Sequence, residues 1–278
     1  MVVPTYERPD DLESCLKSLD QNIQKLDANY EIIVSDDSES DKSKVLIERD
    51  FQNVKWKEGK KKGPAANRNA GASEAKGEWI VFLDDDCIAQ KNYLEAYRKS
   101  ILSDPEILVF EGKIFADRER KTWAEGCPEN ENGGMLWTSN LCVKRSLFNN
   151  IGGFDERFRT AYEDVEFAFR LKQLGIKSIF VPQASVCHPW RNLRNGGKNW
   201  KVKGYQIDSL LLFLDKHENA YMEYGKPLIY LRNMIRILTS NLLFCLFYLR
   251  GRGIDILFSQ AYISLKTCIL LVIKLKKK

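Results

Sequence analysis

Three consecutive aspartates, Asp84, Asp85 and Asp86, follow the apolar run 79–83. Carboxylates this close repel one another, and a divalent cation would relieve that cost while taking hard oxygen ligands. Asp84 and Asp86 flank one residue, a D-x-D arrangement; the competing reading is an acidic turn at a helix start, where aspartate is also favoured. A second pair, Asp36-Asp37, ends the apolar run 31–35 and either caps the next helix or hydrogen-bonds a nucleobase. Arg68 falls in the first turns of an Ala-rich helix opening at Pro64. A guanidinium near a positive helix end suits a diphosphate, and a plain surface arginine is the alternative. Glu163, Asp164 and Glu166 open an amphipathic helix. Glu166 is spaced for an ion pair with Arg170, which leaves Asp164 or Glu163 as a general base or as ordinary helix-start charge. Of the two histidines, His188 is a candidate metal ligand, phosphate contact or structural residue, and His217 reads as solvated.

These side chains are useful only if the strands carrying them end at one edge. Apolar runs at 1–3, 31–35, 54–56 and 79–83 alternate with helical spacings at 12–26, 42–50 and 64–76. Such alternation implies parallel strands covered on both faces, with ligands beyond their carboxyl ends. Both acidic clusters fall there. Further on, strands are expected at 107–115, 136–143, 176–181 and 185–188, and helices at 144–150 and 163–174. Residues 118–134 read as a polar loop, 192–203 as a mobile basic loop bordered by Trp190 and Trp200, and the chain from 204 on as helical and increasingly apolar. The predicted fold is α/β, with a mixed, mostly parallel Rossmann-like sheet flanked by helices and a C-terminal helical apolar and basic tail.

With 278 residues, 44% of them hydrophobic and 29% charged, the chain can bury a sizeable core, which excludes wholesale disorder. Seven cysteines without a C-x-x-C pair argue against a disulfide framework or zinc ribbon and for a reducing compartment. The first residues carry no secretory pattern, so a cytoplasmic protein is expected. The net charge of +5 conceals an asymmetry. Residues 226–278 hold ten Lys/Arg and one acid, whereas the rest holds 33 basic and 37 acidic residues. A nucleic-acid binder would carry its charge on the body, so no nucleic-acid partner is expected. An apolar tail rich in cations points to an anionic membrane surface. The uncharged run 237–249 has 13 residues and the next region is broken by Lys266, so neither is expected to span a bilayer. Interfacial attachment is expected instead, on the inner face of the plasma membrane; the alternative is helices packed on the catalytic domain or in a homodimer.

In order, VVPTYERPDDLESCLKSL, EIIVSDDSES, GPAANRNAGASEAKGEWIVFLDDDC, SNLCVKRSLFNNIGGFDERF and YEDVEFAFRL resemble the motifs of family 2 glycosyltransferases with a GT-A fold, over roughly residues 2–181. The resemblance implies a catalytic domain at 1–204, with a nucleotide-sugar half (1–115) and an acceptor and base half (116–204), followed by a membrane-associating region at 205–278. It places Pro4, Thr5, Tyr6 and Glu7 around the base and ribose, Asp37 with Asp36 on the base, and Arg68 near the diphosphate. Asp84 and Asp86 match the D-x-D positions around Asp85 in the donor site. Asp86 would be the direct metal ligand and Asp84 a ligand lying nearer the ribose or sugar. Asp164 matches the catalytic base, beside Glu163; Trp137, Ser139 and Asn140 match the donor-sugar and acceptor pocket, and His188 a late metal or diphosphate contact.

The implied activity is inverting transfer from a nucleotide-diphosphate sugar, a UDP-hexose by default, to a glycan or lipid-linked glycan with Mn²⁺ or Mg²⁺, in bacterial surface-polysaccharide assembly. Only three residues precede Pro4, so the first strand is expected to be short, and no Q-x-x-R-W motif of processive synthases is present. A sugar nucleotidyltransferase would need a Gly-rich basic loop where PTYERPDD stands; a non-catalytic binder would not need Asp84, Asp86 and Asp164 together.

Overall fold

A computed structural model of the chain describes residues 1–26, 28–193 and 199–276, and side chains outside 199–205. Two compact units result, one of Met1–Asp117 with Pro128–Pro189, the other of Arg118–Cys127 with Trp190–Lys278. The expected basic loop at 192–203 lies partly outside the described residues, as does the Trp200 side chain; from Asn199 on the backbone is helical rather than loop.

The strands are β1 Val2–Thr5, β2 Ile32–Asp36, β3 Val54–Glu58, β4 Trp79–Leu83, β5 Ile88–Ala89, β6 Val109–Ala116, β7 Glu125–Gly126, β8 Asn140–Lys144, β9 Ser178–His188 and β10 Arg191–Asn192. In the first unit eight of them form one sheet in the order β3-β2-β1-β4-β8-β6-β9-β5. β3, β2, β1 and β4 run parallel; β8 lies antiparallel between β4 and β6, and β9 returns parallel to β6. The register sets Thr5 opposite Asp36 and brings the carboxyl ends of β1, β2 and β4 to one edge. That edge, where the parallel half meets β8, is the place an open α/β sheet offers a ligand. The mostly parallel, helix-flanked sheet matches the sequence reading. β9 is one strand where two were expected, because its pairing with β6 continues across an irregularity between Gly112 and Lys113.

The helices of this unit are α1 Pro9–Ser18, α2 Gln21–Gln24, α3 Lys42–Asp50, α4 Pro64–Ser73, α5 Tyr93–Ser103, α6 Arg145–Asn150 and α7 Glu163–Gln173. α4 buries Ala65, Ala66, Ala70 and Ala72, so small side chains let its backbone lie close to β1 and β2. At Gly71 a side chain would strike Val2. Four rings, Phe82, Phe148, Phe154 and Phe167, pack with centroids 4.9–5.7 Å apart and join β4, α6, the turn at 152–158 and α7. α5 was not anticipated, although Tyr93, Leu94 and Tyr97 form its buried face.

In the second unit β7 pairs antiparallel with β10, and the helices are α8 Asn199–Lys216, α9 Pro227–Arg236, α10 Leu242–Phe247 and α11 Ile254–Leu275. A π-helical turn, Ile237–Asn241, joins α9 to α10 without a break. Trp123 anchors this unit: its amide donates to the Arg252 carbonyl at 2.8 Å and its indole N–H to Gln260 at 2.8 Å. Gly253, at φ +85°, passes so close to the Ala124 amide that a side chain would collide with it. Residues 118–127, expected as loop, thus supply a strand and a core anchor. α11 runs through Lys266 for 22 residues and is long and apolar enough to cross a membrane, by length and composition alone.

The Glu166–Arg170 pair read from spacing is present. Glu166 is fully buried, Arg170 Nε reaches both its oxygens at 2.9 and 3.0 Å, and the guanidinium also donates to the Ile151 and Gly153 carbonyls. Removing the arginine would strand a buried carboxylate. Arg170→Ala is expected to destabilise the protein by about 3 kcal/mol, measured by urea denaturation.

Candidate active site

A cleft of about 500 Å³ opens at the carboxyl edge of β1, β2 and β4. Pro4, Thr5, Tyr6, Asp37, Arg68, Asp84 and Asp85 line it, together with residues that were not expected there, Arg8, Glu39, Lys61, Gly63 and Asn67. Thr5 Oγ1 donates to Asp85 Oδ2 at 2.7 Å and ties the end of β1 to the loop after β4. Tyr6 is 57% exposed, a ring standing at the rim. Asp37 accepts from the Lys61 and Gly63 amides at 2.9 and 3.3 Å. Burial nevertheless raises its pKa above the ordinary carboxylate value, against the pull of those amides.

Two residues that the resemblance places at the base are engaged by donors of neighbouring segments. Asp36 accepts from the Ser38 amide at 2.9 Å and the Trp56 indole at 3.2 Å. Glu7, at φ +53°, accepts from the Ser40 hydroxyl and from the amides of Ser40 and Glu39, which hold its pKa below the ordinary value. Neither lines the cleft.

The three aspartates diverge. Asp84 Oδ1 accepts from Arg68 Nη2 at 2.6 Å. Asp85 is buried, and burial pushes its pKa to about 7 against the opposing charge of Arg8, 3.1 Å away but not aligned for a hydrogen bond. Asp86 Oδ2 accepts from Arg8 Nη1 at 2.7 Å, and Asp86 Oδ1 lies 3.3 Å from His188 Nε2. His188 Nδ1 is 2.8 Å from the Pro189 carbonyl, an acceptor only, so Nδ1 carries the proton of that contact. A carboxylate oxygen and an imidazole nitrogen side by side are both donors that a divalent cation takes, so the donor set fits a metal. Asp86, Cys87 and His188 offer ligand atoms within 4.8 Å of one another, a candidate metal site. A hard cation would use the oxygen and imidazole rather than the buried thiol. Asp84 lies outside that group, held by Arg68.

Arg68 also donates to Glu163 Oε1 at 2.9 Å. Its guanidinium is therefore shared between two carboxylates where it lines the cleft. Burial works against its charge, but Asp84 and Glu163 outweigh that and raise its pKa. Asp164, next to Glu163 at the start of α7, accepts from the Val165 amide at 2.7 Å. Burial raises the pKa of both acids, with Arg68 opposing. On either side of Arg68, Asn67 donates to the Thr5 carbonyl at 3.2 Å and Asn69 exchanges hydrogen bonds of 2.8 and 3.0 Å with the Phe154 backbone. Three successive side chains of α4 thus reach β1, the acidic cluster and the turn before α7.

Trp137, Ser139 and Asn140 are not brought to the cleft. Asn140 accepts from Tyr93 and Tyr97 and donates to the Lys113 and Ala184 carbonyls, so its amide is fully used inside the sheet. Trp137 packs against the core and Ser139 is buried. Ahead of them, buried Glu111 accepts from the Gly134, Met135 and Leu136 amides and from Asn130, clamping the segment that leads to Trp137. Arg8 was legible in principle: it sits between the β1 loop and a Pro-initiated helix, the position from which a long cation reaches neighbouring strand ends.

Known proteins agree with this architecture. An uncharacterized glycosyltransferase of Haemophilus influenzae is 28% identical over 62% of this chain and 61% of its own. A GalNAc(5)-diNAcBac-PP-undecaprenol beta-1,3-glucosyltransferase of Campylobacter jejuni is 38% identical over 31% of this chain and 28% of its own. The chain thus spans less than two thirds of these relatives. A mannosyltransferase structure from Pyrobaculum calidifontis, 17% identical, has a TM-score of 0.55 over 98% of this chain and 73% of its own, a likeness of fold. The model of Glycosyl transferase family 2 matches residues 1–180, and the chain belongs to that family.

Proposed function

We propose that the protein transfers a hexose from a nucleotide-diphosphate sugar, UDP-linked by preference, to a hydroxyl of a lipid-linked glycan, with inversion, in bacterial surface-polysaccharide assembly. The observation that carries this reading is the placement of Asp164 one residue from the Glu163–Arg68–Asp84 bridge at the strand-end cleft. The Campylobacter relative is named for an undecaprenyl-diphosphate glycan, which supports a lipid-linked acceptor. The Pyrobaculum neighbour was solved with GDP-Man and Mn2+, which supports a nucleotide-sugar donor and a divalent cation.

Tyr6 packs on the base, and Asp37, its backbone partners fixed, accepts from it. Asp86 and His188 would hold Mn²⁺ or Mg²⁺, which would supply Lewis-acid charge to the leaving diphosphate. Asp164 takes the proton of the acceptor hydroxyl as that oxygen bonds to the anomeric carbon, and the bond to the diphosphate breaks on the opposite face. A carboxylate pKa raised by burial brings this base nearer neutral pH, where general-base catalysis is most effective. The basic, apolar region 205–278 attaches the protein to an anionic membrane surface, the cytoplasmic leaflet, where such an acceptor resides.

Calorimetric titration of UDP, GDP, dTDP and CMP is expected to show binding of one nucleotide with Mn²⁺ and much weaker binding in EDTA; indifference to EDTA would remove the metal from this reading. Asp164→Asn is expected to lower transfer by about 10³-fold while nucleotide affinity stays within about twofold, which separates an enzyme from a binder.

A pH dependence follows from Asp85. Its folded carboxyl, at about 7, keeps a proton that the unfolded chain releases near 3.8. The folded state therefore binds more protons across that interval, and its stability falls as pH rises from 3.8 to about 7. Denaturation in EDTA at the two ends of this window is expected to show that loss, and Asp85→Asn to flatten it.

A further inference from the structure

The longest apolar segments of the second unit form a helical hairpin. α9, the π turn and α10 run continuously from Pro227 to Phe247, and α11 returns along α9 from Ile254 to Leu275. A pair of helices made for water turns its large apolar side chains inward and its small or polar ones outward. Much of α11 does the reverse. Its buried face carries Ser259, Ala261, Ser264 and Thr267 beside Ile256, Leu257 and Leu271. Asn233 of α9 donates to Ser264 Oγ at 2.9 Å across the pair. The outer face displays Phe258, Tyr262, Leu265, Ile269 and Val272, between 38% and 51% exposed. Their spacing of four, three, four and three residues makes one stripe along the helix.

Close packing through small residues, a polar bond between helices and bulky apolar groups outside is the arrangement of helices surrounded by hydrocarbon. The turn between the two arms repeats it, with Phe247 and Tyr248 at 76% and 77% exposed beside Arg250 and Arg252. Charge fixes both the kind of lipid and the orientation. Ten Lys/Arg against one acid in 226–278 select an anionic surface. Arg236 and Arg250 bracket an uncharged run of 13 residues, shorter than the roughly 20 apolar residues that crossing takes, and α11, long enough by itself, carries the exposed Lys266 near its middle. Lys266 lies one position beyond Leu265, at the margin of the stripe, where its stem can bury and its ammonium reach the headgroups.

We infer that the hairpin lies along a bilayer leaflet containing anionic lipid, with the outer stripe of α11 and the aromatic turn sunk into the boundary between headgroups and acyl chains. This rests on the membrane attachment proposed above and states its mode: hydrophobic embedding, with charge as the guide.

The test is flotation of the full-length protein with phosphatidylcholine vesicles, with and without phosphatidylglycerol, at low salt and in molar sodium chloride. Expected is capture that depends on phosphatidylglycerol and, once established, survives molar salt. Ile269→Glu is expected to reduce salt-resistant capture at least tenfold, and the milder Tyr262→Ala to reduce it severalfold, with nucleotide binding unchanged in both. Release of the wild-type protein by molar salt would overturn embedding while leaving electrostatic attachment standing. Salt-resistant capture that neither substitution alters would overturn the role of the stripe. Absence of capture together with dimers in light scattering would overturn both readings and assign the face to a second copy of the chain.

Discussion

A guanidinium with almost no water around it holds the first unit's chemistry in place. Arg68 is bound between Asp84, at the end of β4, and Glu163, at the start of α7, with its Nε left without a hydrogen-bond partner. Such a cation is stable only because two carboxylates share it, and those carboxylates are tolerable so close to Asp85, Asp86 and Asp164 only because of the cation. The dependence is mutual. Removing any one of the three would leave a desolvated charge, so the ends of two elements distant in sequence are held in register by electrostatic necessity rather than by shape alone.

The helix that delivers Arg68 is built for close approach. Alanines bring α4 down onto β1 and β2, and Gly63, at φ +96°, lets the chain pass the Arg159 backbone without a side chain in the way. Pro64 then starts the helix at the cleft wall, with Asn67 and Asn69 fixing the flanking segments. Long side chains at the buried alanine positions would lift the helix and take Arg68 out of reach of Asp84. Low side-chain volume here is therefore a condition for the electrostatics, as overpacking displaces backbone.

What the sequence revealed follows from the range of the interactions involved. Strand ends, the acidic triplet and the Glu166–Arg170 pair are local patterns, governed by periodicity and neighbouring charge, and they were legible. The cleft position of Asp37, Arg68, Asp84 and Asp85 followed because parallel strands end at one edge. The fate of Asn140 was not legible. Its amide is consumed by α5 and by β6 and β9, elements distant in sequence that meet it only in the fold. The two carboxylate partners of Arg68, 16 and 95 residues away, were not legible either, because they meet it only in the fold. Arg8, likewise, acquires meaning only when β1 and β4 lie side by side.

In the second unit burial narrows what composition leaves open. Apolar content and basic flanks fit equally well a soluble helical pair, a dimer interface or a lipid-facing hairpin. A soluble pair differs from the other two in which face it buries. A soluble pair gains stability by removing Phe258, Tyr262 and Ile269 from water, and here those side chains stay outside while Ser259, Ser264 and Thr267 are enclosed. In water that arrangement forgoes the main driving force of folding. In hydrocarbon it costs little, because lipid solvates the outer face and the Asn233–Ser264 bond replaces contacts that water would otherwise have made. The leaflet inferred above would supply surroundings in which this burial pattern is favourable.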